Sequence, residues 1–342
     1  MKEIIITQNE AGQRLDKLLS KYLREAPKSF LYKMLRKKNI TLNGKKAQGK
    51  EQLAPGDHIK LFLSDETIAR FQADMPSGTQ SQKTAQKNAV RSRRMEGCRY
   101  TPDIIYEDDH ILLVNKPAGL LSQKSSPQDV SLVEYVTDYL LETGSLTDAQ
   151  LALFHPALCN RLDRNTSGIV IAGKSLPGLQ AMNRLLKERS VRKYYRCIVK
   201  GEMSGSRHLE GYLVKNEQTN TVSVSTLPQT KEDKKIETQY TVLAVCNGLS
   251  LLEVHLITGR SHQIRAHLAS IGHPILGDAK YGDPVWNKKY RLSDHVQYQL
   301  LHAFRLEFPA LEGQFAYLSG NVFCAPMPKL YTKLVPYQER RG

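Results

Sequence analysis

Cysteine is scarce in this chain. There are five in 342 residues, at positions 98, 159, 197, 246 and 324, and no two form a Cys-x-x-Cys pair. An odd, scattered set excludes a disulfide framework, argues against a thiolate zinc site and suits a reducing compartment. Long apolar runs are also missing. The longest are strand-sized, well short of the roughly 20 residues that span a bilayer. The opening MKEIIITQNE has no apolar core of signal-peptide length. His255, His262 and His267 lack a metal-ligand spacing, Gly259-Arg260-Ser261 is not a phosphate-cradling P-loop, and no internal period suggests a solenoid or propeller. The expectation is a soluble cytoplasmic protein with no membrane attachment and no metal.

Acidic residues are outnumbered: 34 Asp and Glu face 49 Lys and Arg, a formal net charge of +15. Such an excess points to a polyanionic partner, nucleic acid before lipid. It is uneven. Between Gln13 and Lys50 twelve residues are basic and two acidic, whereas from Tyr100 to Gly342 the balance is 28 against 24. The pattern is that of a basic binding module joined to a nearly neutral body.

Three segments are expected. Residues 1–65 form a compact unit: a strand at Ile4 to Ile6, a helix carrying Leu15, Leu18, Leu19, Tyr22 and Leu23, and a second helix capped by Ser29 with Leu31, Met34 and Leu35 inward. A strand through Ile40 and Leu42 enters the Asn43-Gly44 turn, and Ile59, Leu61 and Leu63 alternate after Pro55-Gly56-Asp57. Residues 66–99 are polar, basic and aperiodic, the composition of a flexible linker. Residues 100–335 read as mixed α/β, with strands at Ile111 to Val114, Ile169 to Ala172 and Tyr195 to Val199, helices through Leu132 to Leu140 and Leu179 to Leu186, and a hairpin around Asn247-Gly248. The interval from Ser204 to Lys235 has no clear period.

One loop stands out chemically. In Asn160-Arg161-Leu162-Asp163-Arg164-Asn165-Thr166-Ser167-Gly168 an acid sits between two arginines ahead of a buried strand. Neighbouring guanidinium groups favour its ionised form. These residues alone fit a structural ion pair as well as a reacting carboxylate. Glu107-Asp108-Asp109 reads as a turn before the Ile111 strand.

Further stretches narrow the choice. The loop is similar to the HRLDxxTSG signature of RluA-type pseudouridine synthases. In order along the chain, Lys193-Tyr194-Tyr195 resembles that family's Lys-x-Tyr strand, Thr258 to Leu268 its GRTHQIRVHL motif, and Gly272 to Gly282 its GHPLLGDPKYG motif. Asn115-Lys116-Pro117-Ala118-Gly119 resembles its opening, and Leu301-His302-Ala303 its closing strand. Residues 1–65 resemble an S-four-like RNA-binding domain through Arg14-Leu15-Asp16-Lys17-Leu18-Leu19, the Lys28 to Lys38 helix, Ile40 to Lys45 and Pro55-Gly56-Asp57.

The resemblance implies an α+β catalytic domain with a largely antiparallel central sheet, and an N-terminal α/β module docking RNA. It implies isomerisation of uridine in RNA, ribosomal RNA first, with no cofactor and no protein partner required. Asp163 would be the essential aspartate, acting on base or ribose. Arg265 would pair with it, and Tyr195 would stack on the base and help remove the carbon 5 proton. Arg161 would occupy the space left by a flipped base. Asn160, Arg164, Thr166 and Ser167 complete the expected substrate-binding set. Arg14, Lys17, Lys33, Arg36, Lys37, Lys38 and Lys45 form the expected RNA-binding face. The chain departs from the pattern at Asn160, where His is usual, at Ser261 for Thr and at Ala266 for Val. Two rival readings stay open: a non-catalytic RNA-binding or ribosome-assembly factor on the same fold, and a glycosidic hydrolase, which would call for a second carboxylate.

Overall fold

The computed structural model describes residues 1–72, 100–216, 221–230 and 233–338. The N-terminal unit is a four-stranded antiparallel sheet, order β1-β4-β2-β3, covered by helices. Its strands are β1 (Lys2–Ile5), β2 (Ile40–Leu42), β3 (Lys45–Lys46) and β4 (His58–Leu61). Helix α1 (Leu15–Tyr22) buries Leu15, Leu18, Leu19 and Tyr22, the i, i+3, i+4, i+7 face predicted by the spacing. Helix α2 (Lys28–Arg36) buries Leu31, Met34 and Leu35.

The expected Ser29 cap is corrected. Pro27 flanks the helix and Ser29 lies inside its first turn, because proline has no N–H to lose there and its fixed φ suits the helix start. The helix ends at Arg36. Lys38 turns to φ 59°, and the Asn39 N–H closes back onto the Met34 carbonyl at 2.9 Å. Asn43 and Gly44 both take positive φ, 51° and 72°, as a tight hairpin turn requires.

The start of the expected linker is also corrected. Ser64 caps a further helix, α3 (Asp65–Phe71), by accepting from the Thr67 N–H at 3.2 Å, and Ile68 is buried. The remainder of that segment, 73–99, lies outside the described residues.

The body is built on an eleven-stranded sheet, antiparallel except where β14 (Leu301–Glu307) runs parallel to β8 (Ser167–Gly173). From one edge its order is β11 (Thr221–Ser225), β10 (Ser206–Asn216), β12 (Lys234–Cys246), β13 (Leu249–Leu256), β9 (Arg192–Lys200), β14, β8, β6 (Ile111–Lys116) and β5 (Asp103–Glu107). Two short strands, β7 (Ala157–Leu158) and β15 (Val322–Cys324), join β8 and β14. The β12–β13 connection is the Asn247-Gly248 turn, again with both φ positive. The aperiodic interval after Ser204 holds the long hairpin β10–β11.

Both faces of the sheet centre are covered. Helix α4 (Leu132–Glu142) packs Leu132, Val136 and Leu140 onto Val114, Val170 and Cys197. Helix α6 (Leu176–Lys187) packs Met182 and Leu185 onto Ile111, Ile169 and Ile171 on the other side. This double burial explains why β6 and β8 read as unbroken apolar runs rather than alternating ones. Helix α5 (Asp148–Leu153) carries Leu153 into the core of the N-terminal unit, and the Leu176 N–H donates to the Asn9 carbonyl at 3.1 Å, so unit and body are packed together.

Candidate active site

The centre of the sheet brings two distant segments together. Ala303 on β14 lies opposite Tyr195 on β9 and beside Gly168 on β8. A side chain at Gly168 would put its Cβ 2.2 Å from the Ala303 carbonyl oxygen, and the residue's φ is 110°. Glycine is therefore required for β8 to come this close. The loop that precedes it places Asp163 above Tyr195.

Asp163 meets a helix from the far side of the cleft. Helix α7 (Gln263–Ser270) is buried from Gln263 to Leu268. Its entry is fixed by the Gln263 amide, which accepts from Thr258 Oγ1 and the Arg260 N–H and donates to the Glu237 carbonyl and Thr238 Oγ1. Arg265 is thereby aimed at Asp163, with Nη1 2.7 Å from Oδ2. Its other edge forms a fork with Asp278, Nε to Oδ2 at 2.7 Å and Nη2 to Oδ1 at 2.8 Å. The Asp278 side chain is 0 % exposed, Arg265 6 % and Asp163 29 %. One cation thus joins a sealed anion to an accessible one.

Burial alone would depress the Arg265 guanidinium, but the bonds and charges of Asp278 and Asp163 more than offset it and hold it above its ordinary value. Burial likewise raises the Asp278 carboxyl, while Arg265 and the N–H groups of Lys280 and Tyr281 pull it net below the usual range. Asp278 therefore clamps the arginine that orients Asp163.

Tyr195 is buried on the cleft floor. Burial, and then the neighbouring Asp163 charge, push its phenol well above the ordinary value, so it stays protonated. Lys116, also buried, spends its ammonium on the carbonyls of Pro117, Leu120 and Arg164 at 2.7–3.0 Å, tying the turn after β6 to the Asp163 loop. Burial draws its pKa down to about 7, with Asp163 pulling the other way.

The cleft is open, with a volume of about 920 Å³, and its rim is basic: Lys124 and Arg161 on one side, Lys187, Arg189, Lys193 and Arg260 on the other. Arg161 is exposed, with one weak contact to Gln123 at 3.5 Å. Other expected contact residues are turned to scaffold tasks. Asn160 accepts from the Ile171 N–H at 2.8 Å and donates to the Ile169 carbonyl at 3.4 Å, extending the β7–β8 ladder with its side chain. Ser167 is bonded to His302 Nδ1 at 2.8 Å, and it does not line the cleft. Thr166 lines the cleft but is buried, its hydroxyl accepting from Gln299 at 3.2 Å. The Arg164 Nε donates to the Gly119 carbonyl at 3.1 Å.

Sequence reasoning assigned no role to Asp278, His262, Tyr281 or Lys116. All four lie within the quoted motifs. Only their placement shows that they converge on Asp163 or its loop.

A carboxylate paired to a buried arginine, beside a buried tyrosine in a cationic cleft, is an arrangement suited to carboxylate chemistry on a polyanion. Comparison with known proteins narrows this. Residues 110–270 match the family model described as RNA pseudouridylate synthase. The chain is 31% identical over 310 residues to ribosomal large subunit pseudouridine synthase C of Vibrio vulnificus (strain CMCP6), covering 90% of this chain and 89% of that protein. It is 29% identical to the protein of that name from Escherichia coli (strain K12), covering 90% and 88%. The solved structure of human RNA pseudouridylate synthase domain containing 4 shares the fold, with a TM-score of 0.54 at 21% identity over 73% of this chain and 95% of that one. The chain belongs to the RNA pseudouridylate synthase family. It is an RNA pseudouridine synthase, and the non-catalytic reading falls away.

Proposed function

We propose that this enzyme isomerises uridines of large-subunit ribosomal RNA, with Asp163 as the reacting carboxylate. The observation that carries the site assignment is the Asp163–Arg265–Asp278 chain, which leaves one accessible carboxylate at the floor of a basic cleft. The substrate class follows from relatives named for the ribosomal large subunit. Such work goes with a cytoplasmic location, with RNA as the partner that the reaction requires. Among the described residues no helix is long and apolar enough to cross a membrane.

In this reading Arg265 orients Asp163, and Tyr195 offers its ring to the uracil. The Tyr195 phenol is held protonated in the resting site, and its ring supplies the stacking surface. Arg161, exposed and weakly held, is free to fill the space that a flipped uridine leaves. Asn160, Arg164, Thr166 and Ser167 keep the loop in place. Asn160 needs no titrating ring for that, so the departure from His leaves the chemistry intact. The reading is tested by mapping pseudouridine in ribosomal RNA from cells lacking the gene, complemented with wild type or Asp163→Asn. One or a few large-subunit sites should vanish and return with wild type alone. An unchanged ribosomal map would refute the substrate assignment.

The N-terminal unit supplies the docking surface. Lys17, Lys33, Arg36, Lys37, Lys38 and Lys45 are exposed and have no carboxylate partner among the described residues. Arg14 is set apart from the others, since its guanidinium is bonded to Asp16 at 2.6 and 3.0 Å. Changing Lys33, Arg36, Lys37 and Lys38 together to Ala should weaken RNA binding. If each meets one phosphate, the slope of log affinity against log salt should flatten by about 3. An unaltered slope in a salt titration would show that this face binds something else.

A further inference from the structure

His262 is the N-cap of α7, and its backbone is left-handed, with φ 57°. A non-glycine residue in that region is strained and persists where its surroundings enforce it. What enforces it is visible. The Tyr281 hydroxyl lies 2.9 Å from His262 Nδ1, and its oxygen also receives the Val222 N–H of β11 at 2.9 Å. The two rings meet edge to face at 5.6 Å.

A phenol oxygen that accepts a peptide N–H still has one proton to donate. Among the described residues the acceptor in reach is His262 Nδ1. A bond running from Tyr281 to Nδ1 uses that proton and leaves the proton of the neutral ring on Nε2. That is the edge facing Asp163, with Nε2 3.7 Å from Oδ2. Burial lowers the imidazole pKa, against the pull of Asp163, which favours the neutral ring. Arg265 addresses the same oxygen. The other oxygen, Oδ1, has no hydrogen-bond partner among the described residues.

We propose that His262 is a positioning residue for Asp163, that Tyr281 and the Val222 peptide select its Nε2–H tautomer, and that Oδ1 is the oxygen presented to the uridine. Nη1 is bonded to Oδ2 at 2.7 Å and Nε2–H faces the same oxygen at 3.7 Å, so both donors favour one orientation of the carboxylate. Hairpin β10–β11, the stretch with no legible period, thereby acquires a role: its main chain fixes the direction of the Tyr281–His262 hydrogen bond, and with it which ring edge faces the reacting group. The proposal rests on the reading of Asp163 as the reacting carboxylate.

Two measurements decide it. In full-length protein labelled with nitrogen-15 histidine, side-chain nitrogen–proton correlations at pH 7.5 report the tautomer, and His262→Gln identifies the His262 signal. The wild type should show a neutral ring protonated at Nε2, and Tyr281→Phe should convert it to a mixture or to the Nδ1–H form. An imidazolium or an Nδ1–H ring in the wild type would overturn the proposal.

Single-turnover kinetics on ribosomal RNA give the second arm. His262→Leu should slow isomerisation by roughly 10- to 100-fold with little change in RNA affinity. His262→Gln carries an amide N–H near the Nε2 position and should recover most of the rate. Equal rates for wild type and His262→Leu would overturn the positioning role. Should His262→Leu fail to fold, Tyr281→Phe takes its place and should also be slow, with the wild-type rate counting against us. A wild type that forms no pseudouridine would instead sink the functional reading, and the tautomer measurement would still judge the relay.

Discussion

Asp163→Asn should lower the rate of pseudouridine formation by at least ~1,000-fold, the scale on which a group acting in the transition state is lost. Its melting temperature and RNA affinity should stay close to wild type. The reasoning is local. Asparagine has the same shape, and its amide oxygen can still accept from Arg265. The charge that is lost sits at the accessible end of the chain, 29 % exposed, while Arg265 keeps its two bonds to Asp278. No buried ion is stranded, so the penalty usual for breaking a buried pair does not arise. Release of the labelled carbon 5 proton from uridine in defined RNA, with a melting curve on the same sample, checks both halves. Substantial residual turnover would remove Asp163 from the chemistry.

The contrast between the two ends of this chain shows what the sequence could convey. Periodicity located α1, α2, β6 and β8, because each buries a regular face or an unbroken apolar run. Asn43-Gly44 and Asn247-Gly248 announced their turns, since both need two residues at positive φ. Hairpin β10–β11 was not legible: its apolar positions are few and pack against Ala266 and Tyr281, residues far along the chain. Helix α3 was hidden in a polar segment because one buried residue, Ile68, leaves no period to detect. At the site, the motifs marked Asp163, Tyr195 and Arg265. They did not reveal that Asn160, though it lines the cleft, is bonded to β8, or that Ser167 lies outside the cleft against His302. A polar side chain in a loop carries no sign of whether its partner will be RNA or a neighbouring strand. Asp278 was the larger omission. An acid in a Gly-rich turn reads as turn chemistry, and only the fold brings it to a buried arginine some distance earlier in the sequence.

That position yields the other large effect. Asp278→Ala should destabilise the protein by about 3–5 kcal/mol, the usual cost of breaking a buried pair, because buried Arg265 is left with the partly exposed Asp163 alone. In a body of this size that is a fall of roughly 6–20 °C in melting temperature. Activity should collapse as well, because Arg265 loses the fork that aims it at Asp163. The pH dependence has a definite sign. Asp278 is held below its ordinary carboxylate value when folded, so its contribution is fully present above the unfolded pKa of roughly 4 and is lost as pH falls through the folded value. Asp278→Ala should therefore lose part of the acid limb of the wild-type stability curve. A second change separates the two losses. Arg265→Leu in the Asp278→Ala background removes the half-paired cation, and an apolar replacement of a buried pair is often neutral or favourable. The double variant should regain several degrees of melting temperature and no activity. If Asp278→Ala instead melts with the wild type and turns over normally, the fork is ornamental, and the orientation of Asp163 must come from Arg265 and His262 alone.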